Sequence, residues 1–545
     1  MKLFKYGMSL AALALLASCA NDNVTDPGDQ TQVFPDGSMY AAFNIVLPVT
    51  NGNGARAVEY QAGTAEEYAA NTGMIYLFKA GTSAGEDNYV YVSEAPLSLG
   101  WNNGSDDIER VSTTATAKFT VAEMGALANE YYALVVLNKS TDFPEPKNST
   151  NFGTWKKTAH SNVGTLEGVA TNFVMTNAPG SEEAINPAVV PNTLVKIEKS
   201  SFKPSPNNLP VAASIYVQRE VAKVEMVDNT GENKTWAKFG VDGTDGKDFI
   251  RFDAWELDIT NNSTYPVQVI DGVTGIDGFT TWITDETNHS GANFYATGKT
   301  FNRVWWAIDP NYNGAVSGYG DAGTQNAVFT KISYDQVANK LSGDQKKLYD
   351  YARENTMEYN YMNLNQTTSV WVKGTYFVGK APEEGDGSSF VVYGTYKAAV
   401  PASTLGAGQK GITLAALYEG SAENLATAKA ALGVTDDNTT VDYYHNGITY
   451  YRIPIRHFED SESAALDESW KTDTDAAYEK VHRGRFGLLR NNWYQITINS
   501  VSGLGEPTIP DNPPTTPDDP KQENWYINAS INILAWAKRA HGYDL

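Results

Sequence analysis

At 545 residues, with a formal net charge of −23 and no basic cluster, the chain has room for two or three domains and no surface suited to nucleic acid. Its single cysteine, Cys19, excludes disulfides and cysteine-based zinc sites within one molecule. Hydrophobic residues make up 41%, enough for packed cores rather than disorder, and 31 Tyr with 46 Gly suit short strands and turns.

The chain opens with Lys2 and Lys5, an apolar run, and then Leu16, Ala17, Ser18 and Cys19. This reads as a bacterial lipoprotein signal peptide over residues 1–19, with Cys19 lipidated as the mature N-terminus; the segment is too short for an ordinary membrane span. A polar tether follows. From Met39, the residues Met39, Ala41, Phe43, Ile45, Leu47 and Val49 occupy every second position, the period of a strand with one buried face. Beyond it lies a Gly/Asn stretch ending at Arg56 and Ala57, and Arg56 is the only Lys or Arg between Lys5 and Lys79. Exposed small-residue loops are where proteases cut. A trypsin-like cut at Arg56 would therefore remove the lipid, the tether and the first strand together, so residues 20–56 read as a lipidated propeptide.

Strand-like segments continue at 74–78, 133–137 and 215–227, the last placed near a domain boundary at about residue 215. Six more follow at 249–259, 303–308, 369–378, 389–396, 448–455 and 493–501. Two helical insertions are expected among them. One starts at the capping-box pattern Ser333 to Gln336 and runs to about Glu354; the other spans Ser421 to Leu432 and ends at Gly433. From Pro507 to Pro520 six prolines favour an extended arm, which from Glu506 to Glu523 reaches about 50 Å at roughly 3.1 Å per residue. The chain then alternates again through Trp525, Ile527, Ala529, Ile531 and Ile533, whereas Trp536 falls out of phase. A strand on such an arm suits another molecule's sheet; the plainer reading is that both terminal strands complete the chain's own sheets.

Removing a strand from a sandwich leaves a groove of apolar side chains and unpaired backbone groups, and a neighbour's C-terminal strand has the length and pattern to fill it. Donation at one end and acceptance at the other make an open filament.

These features together resemble the fimbrillins of Bacteroidales: the lipobox, the first strand ahead of Arg56-Ala57, the segments Tyr131 to Asn138, Gln218 to Lys223 and Arg490 to Ile498, and the closing Ile531 to Trp536. The likeness runs in order over nearly the whole chain and is nearest to a stalk subunit. It implies an all-β protein of two tandem transthyretin-like β-sandwich domains with small helical insertions, at 57–215 and 216–505, followed by the arm and donor strand over 506–545. It further implies export as a lipoprotein to the outer membrane, cleavage after Arg56 by an Arg-specific protease, and donor-strand polymerisation into an extracellular fimbrium that supports adhesion. The implied partners are identical subunits, the protease, and tip and anchor subunits. Two alternatives stay open, a tip or accessory adhesin of the same fold and a surface glycan-binding lipoprotein that never polymerises.

Signs of chemistry are sparse, so no enzyme, cofactor or metal is expected. The six histidines show no ligand spacing, and no H-E-x-x-H, G-x-S-x-G or P-loop pattern occurs. Asp242, Asp245 and Asp248 share a Gly-rich loop that is either a Ca²⁺ loop or a solvated turn, and departs from EF-hand spacing. The glycines from Gly272 to Gly278 read as turn residues. Trp282, Trp305, Trp306, Tyr443 and Tyr444 could stack on sugars, but in a 12% aromatic β-protein they more simply belong to cores.

Overall fold

The computed structural model describes residues 34–47, 60–61, 63–100, 112–124, 127–166, 171–181, 191–231, 235–236, 248–270, 295–296, 302–304, 307–312, 328–332, 334–341, 346–357, 366–377, 387, 390–393, 398–401, 441–457, 486–501, 504–507, 509 and 527–536. These are predominantly β. The strands that organise the first half are β1 (Ser38–Val46), β2 (Tyr60–Gln61), β3 (Gly73–Lys79), β4 (Val90–Ser98), β5 (Ser112–Thr120), β6 (Glu130–Leu137), β7 (Met175–Asn177), β8 (Val195–Glu198) and β9 (Val211–Arg219), with a one-turn helix α1 (Ala65–Tyr68) after β2. The second half adds β10 (Val221–Asp228), β11 (Asp248–Asp258), β12 (Tyr349–Arg353), β13 (Ser369–Phe377), β14 (Ile448–Pro454), β15 (Asn492–Val501) and β16 (Ile527–Trp536).

All the first-half strands except β2 form one sheet in the order β3-β4-β5-β1-β9-β7-β6-β8, and β3 also pairs with β6. The pairings therefore close a ring, with β4 and β9 each passing from one neighbour to another along their length. Inward residues of this ring form one core, among them Phe43, Ile75, Leu77, Phe119, Tyr131, Ile197 and Phe202. A second core lies between two sheets of the second half, β12-β10-β15-β16-β2 and one built on β11-β13-β14. Ala222, Val224 and Met226 from β10 meet Ile250, Phe252, Trp255 and Leu257 from β11 there. Only Glu220 separates β9, in the first sheet, from β10, in the second. The continuous segment expected over 215–227 is thus two strands that serve different cores.

The helical insertion expected from Ser333 to Glu354 is corrected. Among the described residues of that segment only Tyr334–Gln336 is helical, as a single 3₁₀ turn, and Tyr349–Arg353 is strand β12, antiparallel to β10. The capping-box pattern lost to tertiary pairing: Tyr349 and Tyr351 pack beside Trp493, and Ala352 enters the second core. The segment Ser421 to Leu432 lies outside the described residues.

Candidate functional site

The features that bear on function are the seats of the two terminal strands and the junction between the cores. β1 is a central strand. It runs antiparallel to β5 from Ser38 opposite Thr120 to Val46 opposite Ser112, and parallel to β9, with Ile45 opposite Ile215. Alternation puts Met39, Ala41, Phe43, Ile45 and Leu47 into the first core, each no more than 2% exposed. Tyr40 exchanges two backbone hydrogen bonds of 2.8 Å with Lys203, and the Asn44 amide donates to the Ser214 hydroxyl at 3.3 Å. Val49, Arg56, Ala57 and Cys19 fall outside the described residues. Burying Met39, Phe43, Ile45 and Leu47 is worth roughly 6–12 kcal/mol at about 1.5–3 kcal/mol each, an upper estimate and as large as the net stability of a typical domain. Without β1 the sheet would carry two open edges, β5 and β9, over an exposed core.

β16 sits in the chain's own second half. It is antiparallel to β15, with Ile533 opposite Tyr494, Ile531 opposite Ile496 and Ala529 opposite Ile498, and a bulge before Asn528 opposite Ser500. Tyr494, Ile496 and Ile498, the residues of β15 opposite Ile533, Ile531 and Ala529, belong to the second core. This differs from the expectation of a strand held out on its arm. The reason is physical: without β16, β15 would leave a row of backbone donors and acceptors open beside a core face. Outside β16 lies β2, with Tyr60 and Gln61 parallel to Ala535 and Trp536. Trp525 lies outside the described residues. The start of the arm is seated against β14, with Glu506 exchanging backbone hydrogen bonds with Tyr450 and Ile509 buried.

The junction is a buried polar network that the sequence reading did not anticipate. In α1, Glu67 Oε2 accepts from the Thr64 backbone N–H at 3.0 Å while Oε1 accepts from Lys223 Nζ at 2.7 Å and the Tyr351 hydroxyl at 2.5 Å. Both side chains of the Glu67–Lys223 pair are 1% exposed. The ammonium lies 3.9 Å from the centre of the Tyr349 ring and 3.8 Å from that of Trp493. Arg219 donates to the Glu67 carbonyl at 2.9 Å and to Asn491 Oδ1 at 3.3 Å, with Tyr68 stacked on its guanidinium. Burial alone would push Glu67 up, but Lys223, Tyr351 and Arg219 bring it below the ordinary carboxyl value; burial also lowers Lys223, against the pull of Glu67. The two directions pull against each other, as they must where a pair gains charge attraction but loses hydration. Glu67's is the firmer, since three separate partners act on it.

Around this pair Val163 and Phe173 from the first half pack on Val221 and Trp493 from the second. Nearby, His160 Nε2 stands 3.0 Å from Glu220 Oε2, both fully buried, and Arg490 pairs with Glu354 at 3.1 Å. The sequence did carry a signal: Arg219, Glu220, Lys223 and Glu225 are charges set within an otherwise largely apolar segment, and Thr64 to Glu67 has capping-box spacing.

No other sequence candidate assembles a site among the described residues. Among the described residues no group of three or more His, Cys, Asp or Glu could hold a metal ion. Asp248 begins β11, whereas Asp242 and Asp245 lie outside the described residues. The same is true of Trp282, Trp305, Trp306 and the glycines from Gly272 to Gly278. Tyr444 is buried and donates to the Gly505 carbonyl at 2.9 Å, so it is part of the packing. His457 Nδ1 is 2.8 Å from the Tyr494 hydroxyl in the second core.

Residues 442–541 match the family described as major fimbrial subunit protein type IV, fimbrillin, C-terminal. That region contains β14, β15, the proline-rich arm and β16. Among solved structures the chain is similar to a Parabacteroides distasonis protein described by cell adhesion, at 11% identity and TM-score 0.37, over 91% of this chain and 96% of that one. It is similar also to the tip fimbrial protein Mfa3 from Porphyromonas gingivalis with C-terminal truncation, at 11% identity and TM-score 0.32, over 92% of this chain and 100% of that one. A fimbrial assembly protein from Parabacteroides distasonis matches at 11% identity and TM-score 0.28, over 64% of this chain and 84% of that one. No curated protein sequence matches the chain.

Proposed function

We propose that this chain, which belongs to the fimbrillin family through its C-terminal region, is a structural stalk subunit that polymerises by exchanging terminal strands. In this reading it is built as two tandem transthyretin-like sandwiches divided near Glu220. It is exported as a lipoprotein on Cys19, held at the outer membrane, and cut after Arg56 by an Arg-specific protease. The cut frees β1, and the segment Asn524–Ala537 of the next copy takes its place, head to tail, in an extracellular fimbrium that supports adhesion. Tip and anchor subunits are further partners.

The observation that carries the reading is the position of β1. It is the one central strand joined to the rest of its sheet through a segment with a lone Arg, and its five inward side chains complete the first core. A terminal strand that only trimmed an edge would leave nothing for a donor to restore. The donor must first leave β15, where it has one long ladder and a two-residue contact with β2, for a seat between two strands, β5 and β9. Occupying the central seat adds a second ladder, which favours transfer.

Purified precursor treated with an Arg-specific protease should form SDS-resistant ladders. Deletion of residues 524–545 should abolish them while the precursor stays folded by circular dichroism. Ladders that persist after the deletion would remove the donor assignment, and cut protein that stays monomeric would favour the non-polymerising glycan-binding lipoprotein.

A further inference from the structure

We propose that the seat beside β15 is a second strand acceptor, filled in trans by Ile527–Trp536 of another copy without any proteolytic cut. It concerns the same terminal strand as the exchange proposed above but a different seat, in the second core rather than the first.

Adjacent antiparallel strands are usually joined by two to five residues. Here β15 ends at Val501 and β16 begins at Ile527, so residues 502–526 intervene. Scaling loop closure from about four residues to the roughly seventeen beyond Ile509 lowers the local concentration of the strand at its own seat about nine-fold. The first part of that connection is pinned, because Glu506 is bonded to Tyr450 and Ile509 is buried. The remainder, residues 510–526 with prolines at 510, 513, 514, 517 and 520, reaches about 50 Å when extended. The strand is therefore tethered weakly and can reach far.

The occupant is identified by the ladder. In the backbone register Ala529 pairs with Ile498, Ile531 with Ile496 and Ile533 with Tyr494, with a bulge that sets Asn528 opposite Ser500. A strand of the same sequence from a second copy repeats every one of these pairings, so the exchange costs only the weak tether. On the outer side β2 adds two residues of pairing and does not lock the strand in place. Such swapping joins uncut subunits wherever they are crowded, and it competes with the cut-dependent exchange for the same segment.

The test uses full-length precursor carrying Cys19→Ser, which removes the native thiol, and Arg56→Ala, which removes the cut. One pool also carries Thr497→Cys and the other Ser530→Cys, positions directly opposite in the ladder and thus within disulfide range. Thr497 is half-buried and off the core face, so its substitution is mild. After concentration, mixing and oxidation, a non-reducing gel should show a disulfide-linked dimer absent from either pool alone and increasing with concentration. A single chain with both cysteines should cross-link within itself when dilute. A mixed pool that stays monomeric while the double variant closes internally overturns the inference. A double variant that does not close overturns it also, because the register is then wrong. Either failure leaves the exchange at β1 standing, since Arg56→Ala excludes it from the experiment.

Discussion

Replacing Lys223 with Met tests whether the junction is held by charge or merely filled by it. Glu67 and Lys223 are each 1% exposed and 2.7 Å apart, and removing one partner of such a pair leaves the other charge without compensation, at a cost of about 3–5 kcal/mol. Two features pull the value toward the lower end. Arg219 is close enough to lower Glu67 further, and Tyr351 and the Thr64 N–H still donate to its carboxylate. Against this, two cation–π contacts disappear, each worth about 0.5–2 kcal/mol, and Met returns part of that through sulfur–aromatic contact. The expected loss is about 3 kcal/mol in urea unfolding followed by tryptophan fluorescence, to which Trp493 contributes directly. Glu67→Met alone should cost as much or more, while the double variant should recover most of the loss, because an apolar pair of similar volume carries no desolvated charge. The acid limb gives a second check. Glu67 is lowered in the folded chain, so its contribution is present above the unfolded carboxyl value near 4.3 and is lost as pH falls through the folded one. With Lys223 gone that loss begins at higher pH. A single-variant loss below about 1 kcal/mol, or single losses that simply add in the double variant, would show that the pair does not hold the junction.

Phe43→Ala should destabilise the uncut protein by about 3–5 kcal/mol, since the ring is fully buried in the first core; in the proposed assembly the thermal stability of cut, polymerised protein should not change, because β1 has left. Burial first, and then the negative charge of Asp350, push Glu256 up to about 7, and the Asn339 amide donates to Glu256 at 2.9 Å and Asp350 at 3.4 Å. A raised carboxyl favours the folded state below its unfolded value near 4.3 and ceases to as pH rises through 7, so Glu256→Gln should flatten denaturation midpoints over that window by on the order of 1 kcal/mol, allowing for partial exposure. Gly447 has φ +72° and a Cβ there would collide with the Tyr376 carbonyl oxygen, so Gly447→Ala should lower stability by at least about 2 kcal/mol; an unchanged melting temperature would refute the tight turn before β14.

The sequence was most informative about which segments form strands. Met39 to Leu47 and Asn492 to Val501 carry alternate residues into the cores they enter; Ser369–Phe377, buried on both faces, and Asn492–Val501 end within a residue of expectation, while the first strand ends at Val46 rather than Val49. Periodicity fixes which face a strand buries, but not the sheet it joins. That is why the period-2 pattern of the terminal segment did not reveal its seat beside β15. The helix expected over 333–354 fails for a related reason: a local capping pattern does not outweigh the pairing of Tyr349–Arg353 with Val221 to Glu225, more than a hundred positions away. The junction was hidden for a third reason. Lys223 inside a strand looks like a solvated charge until α1, Tyr349 and Trp493, from three distant parts of the chain, close around it.

Chain connectivity, rather than any contact, separates the two states of the proposed assembly. In the uncut protein β1 is tied to α1 through residues 47–64, and α1 is in turn fixed at the junction by Glu67, so the strand stays at high local concentration beside its own seat. Cutting after Arg56 breaks none of the ladders with β5 and β9 and exposes no apolar residue of β1. It changes a tethered strand into a separate peptide, whose return is then governed by dilution, while α1 and the junction remain with the body. Six to twelve kilocalories per mole of burial still hold the peptide, as a rough upper range, so its departure is slow unless another strand takes the seat as it leaves. A donor carried on a long proline-rich arm meets that requirement, because the next copy brings its own tethered strand to a seat that the first has lost the means to refill.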